Sequence, residues 1–146
     1  MGVIAQAVIA SPSDAQAVLN SDQPINSWDG FAYKGLDRVG LITLWALVET
    51  DDPDNRFDYR LDAVRVITDA DRGRWVDIIP PEMLAALAKV AALDAAEFDR
   101  LGLSWWRTDE FEGWDEAEVL DLLRLLGDLA ESAQIESKTL LLWAEP

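Results

Sequence analysis

The chain has 146 residues, half of them hydrophobic, enough for one domain to bury a real core. Its 28 acidic against 12 basic residues give a formal net charge of -16, which argues against a nucleic-acid ligand, because phosphate backbones need cationic partners. It has no cysteine and no histidine, which removes disulfides, thiolate or His-ligated zinc and every Ser-His or Cys-His nucleophilic pair.

Val3–Ala10 is short, apolar and compatible with a strand. "SPSD" follows: Ser11 can cap a helix, Pro12 suits its first position and Asp14 favours its start, so a helix is predicted over about Pro12–Leu19. The content of "NSDQPINSWDGFAYKG" predicts a loop. Leu36–Glu49 is almost all apolar after Arg38. Periodicity does not separate a buried helix from a buried strand there, and length favours a helix. "TDDPDN" is a turn. In "FDYRLDAVRVI", Phe57, Tyr59 and Leu61 alternate with Asp58, Arg60 and Asp62, a period of two that predicts a strand.

"DADRG" reads as a turn and "RWVDII" as a strand. "PPEMLAALAKVAAL" predicts a helix with Pro81 near its start. Asp94 and Glu97 have the spacing of a capping box for a short second helix, which Gly102 can end. "SWWRTDEFEG" is then a loop. The longest helix is expected over about Asp115–Ala133, with Val119, Leu122, Leu123, Leu126, Leu129, Ala130 and Ala133 as its apolar stripe. "KTLLLWAE" ends as a buried strand. The expected fold is one α+β domain over 1–146, a small sheet packed by several helices.

The longest apolar run, Val39–Val48, falls short of the roughly 20 residues that span a bilayer, and no basic segment precedes the first apolar run. A cytoplasmic protein without membrane contact is therefore expected. No phosphate-loop or dinucleotide pattern is present. "DDPDNRFD" resembles a calcium loop only superficially: counted from Asp52, Phe57 and Ala63 stand where an EF-hand needs Gly and Glu. No pair of carboxylates, lysine or tyrosine stands in a catalytic motif. We expect no enzyme, no catalytic residue, no metal site and no cofactor.

Seven tryptophans remain. Trp45 and Trp143 lie in apolar runs and read as core, and Trp75 is compatible with it. Trp28, Trp105, Trp106 and Trp114 lie in polar, loop-like stretches, where burial and a place in a binding hot spot both fit. Three of these stand in "WWRTDEFEGWDEAE", Trp105–Glu118, where one arginine faces six carboxylates. Asp115, Glu116 and Glu118 fit a helix first turn, where the macrodipole favours anions by about 0.3–1 kcal/mol each. Asp109, Glu110 and Glu112 precede that helix, and no local helix chemistry explains them. Loops carry binding function disproportionately.

Several segments resemble the YfbM-like family of uncharacterised bacterial proteins. "MGVIAQAVIASPSDAQAVL" is similar to its start, "LDRVGLITLWAL" to its central segment, "IIPPEMLAALAKVAALDAAEF" to its Pro-Glu helix and following short helix, and "LLLWAE" to its closing strand. The family's central Trp-His pair has no counterpart here. The resemblance implies a small α+β domain with no established activity, and some relatives look like immunity proteins that accompany bacterial toxins.

The expected function is an immunity-type protein that occludes the cationic active-site cleft of a cognate toxin. Its partner-binding residues would be Trp105, Trp106, Asp109, Glu110, Glu112, Trp114, Asp115 and Glu116, with the carboxylates pairing to Arg and Lys of the basic partner. The alternatives are a carboxylate-based hydrolase or metal-dependent enzyme, and an acidic regulatory or scaffold domain for a basic protein.

Overall fold

The computed structural model describes residues 3–146; Met1 and Gly2, the Met-Gly start compared with the family, lie outside them. Five strands form one antiparallel sheet in the order β2-β1-β5-β4-β3. They are β1 (Ile4–Ala10), β2 (Gly30–Lys34), β3 (Arg65–Asp69), β4 (Arg74–Ile78) and β5 (Thr139–Glu145). The helices are α1 (Ala15–Asn20), α2 (Arg38–Thr50), α3 (Phe57–Ala63), α4 (Pro81–Lys89), α5 (Ala95–Trp106) and α6 (Glu116–Ile135). The expected α+β class is the observed one.

Side chains alternate across each strand, so the sheet buries two different faces. Ala7, Ile9, Leu140 and Leu142 face the larger core built with α2, α4, α5 and α6. Val8, Ala10, Val76, Leu141 and Trp143 face a smaller core closed by Ala15, Val18 and Leu19 of α1. Because both faces of β1 and β5 are covered, these central strands read as continuous apolar runs. Trp45 and Trp143 are buried as expected, while Trp75 and Trp28 are half-buried.

Helix starts follow their capping residues. Asp37 Oδ1 accepts from Val39 N (3.0 Å), Asp94 Oδ1 from Glu97 N (2.8 Å), and Glu118 Oε1 from Asp115 N (3.1 Å). The Pro12–Asp14 start is a 3-10 turn leading into α1.

Three expectations are corrected. Phe57–Ala63 is a helix, and the strand begins only at Arg65, running past the segment's end to Asp69. Arg60 is 2 % exposed and Tyr59 47 %, so the inward stripe is Phe57, Arg60, Leu61 and Val64 at helical spacing. Gly102 does not end α5. It lies inside the helix against α6, where an added Cβ would come within 2.2 Å of Leu120 Cδ2. The loop expected over 20–35 contains β2, whose Phe31 and Tyr33 pack on the larger core.

Candidate functional site

The segment from Trp105 to Glu116 folds around one side chain, Phe111, which is buried. Trp105 meets it edge-on at 4.7 Å between ring centres and Trp114 meets it edge-on at 5.1 Å. Pairs of this geometry add about 0.5–1.5 kcal/mol each beyond the area they bury. Thr108 Oγ1 donates to Trp105 O (2.7 Å), and a 3-10 turn over Asp109–Phe111 follows. Gly113 then takes φ +84°, which glycine adopts without a side-chain clash, and brings Trp114 back under the loop. Trp106 Nε1 closes the loop by donating to Trp114 O (2.9 Å).

Drawing Phe111 inward sends its neighbours outward. Asp109, Glu112, Asp115 and Glu116 are exposed and Glu110 is half-buried. None of the five is held in an ion pair among the described residues. Trp106 and Trp114, both half-buried, line an open cleft of about 550 Å³ with Phe111, Asp109 and Glu112 at its sides. A second cleft of about 370 Å³ lies across Thr108 and Asp109 and is lined by Asp54, Arg107 and Glu110. The acidic loop is thus a ridge between two hollows. Lys34 Nζ lies 4.7 Å above the Trp114 ring, so this aromatic already receives one cation.

Of the eight expected residues, Trp106, Asp109, Glu112 and Trp114 share one cleft, Glu110 lines the second, Asp115 and Glu116 are exposed at the start of α6, and Trp105 is corrected. Trp105 is 0 % exposed, in the last turn of α5 rather than in a loop, with its Nε1 donating to Gly40 O of α2 (2.9 Å). It supports the loop from beneath and has no surface to offer a partner. The α5 stripe Phe98, Gly102 and Trp105 has helical spacing, the signal that places it.

A second polar feature has no motif in the sequence. Asp77, near the end of β4, is buried and accepts from Arg38 Nε (2.8 Å) at the start of α2. Arg38 lines a cleft of about 320 Å³ with Leu36, Asp37 and Trp75. Burial pushes the Asp77 carboxyl above its ordinary range despite Arg38, and burial with the Asp77 charge raises the Tyr33 hydroxyl. Among the described residues, no group of three or more acidic side chains is placed to hold a metal ion. No described helix is long and apolar enough to cross a membrane. Comparisons with protein-family models, curated proteins and solved structures return no match.

Proposed function

We propose that this chain is an immunity-type binding protein, which neutralises a cognate bacterial toxin by covering the toxin's cationic active-site cleft. The observation that carries this reading is the Trp106–Glu116 segment, where Asp109 and Glu112 share an open cleft with two half-buried tryptophans and none of the segment's five carboxylates Asp109, Glu110, Glu112, Asp115 and Glu116 is held in an ion pair among the described residues. Tryptophan anchors ringed by polar contacts are a common form of binding hot spot. A net charge of -16 speeds encounter with a basic partner. The segment resemblance to the YfbM-like family suggests a toxin as that partner.

In this mechanism Asp109, Glu110, Glu112, Asp115 and Glu116 pair with arginines and lysines rimming the toxin's cleft. Trp106 and Trp114 are the apolar anchors, and Trp105 holds them in place from below. Co-expression with the product of the neighbouring gene tests it. The two proteins should co-purify, and this chain should rescue growth if the neighbour is toxic. The double variant Asp109→Lys/Glu112→Lys should lower the association rate by about tenfold or more at low salt, and much less at high salt. A toxic neighbour that this chain does not rescue sinks the proposal.

A further inference from the structure

β2 is one edge of the sheet, and no described strand lies beyond it. Which of its backbone groups are free follows from the pairing with β1. Gly35 N donates to Val3 O (2.9 Å) and Ile9 N to Asp29 O (2.8 Å), so these two pairs are of the bonded type. Bonded and non-bonded pairs alternate along an antiparallel ladder. The register therefore makes Tyr33–Ala5 and Phe31–Ala7 bonded pairs, and Ala32 and Lys34 turn their amides and carbonyls outward. Both residues are exposed. Free groups in such a row are a template for another extended chain.

Charge selects the occupant. Asp29 and Asp37, both exposed, stand on either side of β2. Lys34, its only cation, is engaged over Trp114, which places this edge beside the cleft of Trp106, Asp109 and Glu112. The opposite edge, β3, carries Arg65 and Asp69, and Asp71 and Arg72 follow in its hairpin, so its charges balance, with Arg72 already paired to Asp69. A second copy of this chain would bring another charge of -16 to the same place.

We propose that an extended, lysine- or arginine-rich segment of the partner docks on β2 by strand addition, hydrogen-bonding to Ala32 and Lys34 and laying its cations beside the acidic cleft. This rests on the reading of a basic partner and adds the mode of contact.

The test uses the full chain, isotope-labelled for NMR, and a short synthetic peptide of alternating lysine and valine with blocked ends. At low salt the Ala32 and Lys34 amides should gain hydrogen-exchange protection of about tenfold or more. Ala32→Pro removes an outward donor and no β1–β2 bond, and should weaken peptide binding about tenfold. The same peptide N-methylated at alternate residues should bind the unaltered protein about tenfold more weakly, and decides the matter if Ala32→Pro does not fold. Changes confined to Asp109–Glu116, or protection at β3, overturn strand addition and leave the acidic-surface reading standing. Absence of binding also overturns strand addition, and the co-purification result then bears on the function separately. Edge protection that survives Asp109→Lys/Glu112→Lys keeps strand addition on β2, overturns the placement of the cations beside the acidic cleft, and removes the acidic surface from the proposed function.

Discussion

Arg60 is nearly as buried as the tryptophan beside it. Its guanidinium donates from Nε to Asn55 O (2.9 Å), from Nη2 to Asn55 Oδ1 (2.9 Å) and from Nη1 to Glu49 Oε2 (3.2 Å), and it lies 4.8 Å from the Trp45 ring centre. Partial burial pushes the Glu49 carboxyl up, but bonds from Trp45 and Arg60 outweigh it and hold the group below its ordinary range. This one side chain thus fastens α3 to α2 and to the turn between them. Arg60→Met keeps much of the stem and loses the fork, and should cost about 2–3 kcal/mol in urea unfolding. Arg60→Lys should recover little, because a point charge does not reproduce three directed bonds. A loss under about 0.5 kcal/mol for the methionine variant would show the network to be ornamental. Trp105 shows why the candidate site is only partly legible in the sequence. The acidic character of Trp105–Glu116 is plain in the sequence and helical spacing turns Trp105 inward, whereas the carbonyl that satisfies its buried Nε1, Gly40 O, lies 65 positions away in the chain.

At the scale of elements, legibility followed the purity of the pattern. β1, β5, α4 and α6 carry long apolar runs or stripes, and they lie where their residues predict. α3 does not, because "FDYRLDA" satisfies two periods at once and its helical stripe includes a buried arginine, which a hydrophobic pattern does not count as inward. β2 hides in turn-forming residues, yet its Phe-Ala-Tyr alternation between glycines is the signal of a short edge strand. The first glycine is a steric requirement: a Cβ on Gly30 would stand 1.9 Å from the carbonyl oxygen of Ala7. No flexible side chain can yield there, since the obstacle is β1 backbone. Gly30→Ala should therefore destabilise the protein by about 1–3 kcal/mol. Hydrogen exchange should accelerate at Phe31 and Tyr33 while β4 and β5 stay protected. Unchanged exchange at those two amides would mean that β2 pairs without the close approach at Gly30.

For the molecule as a whole, charge couples stability to pH in two opposite senses. The folded state raises the Asp77 carboxyl above 3.8, through burial that Arg38 only partly offsets. A raised acid binds its proton more tightly folded than unfolded, so its contribution to stability falls as pH rises through the interval above 3.8. Other carboxyls are shifted downward: Asp22 by the bond from Arg74, Asp94 by the backbone amide of Glu97, and Asp69 where bonds from Arg72 outweigh desolvation. Their contribution is present above the unfolded value of 3.8 and is lost as pH falls through their lower folded values. Self-repulsion acts in the same sense as Asp77, because acid titrates the net charge of -16 towards neutrality. Stability should therefore rise from neutral pH to about pH 5 and collapse below about pH 3. Salt at neutral pH should stabilise, by screening the repulsion. Urea unfolding across this range at low and high salt separates the contributions. Screening removes the part of the acid-side rise that comes from net charge, and Asp77→Asn removes the part that comes from the buried carboxyl. A wild type less stable at about pH 5 than at neutral pH in low salt would contradict both assignments, and a rise undiminished in Asp77→Asn at high salt would contradict the role of Asp77.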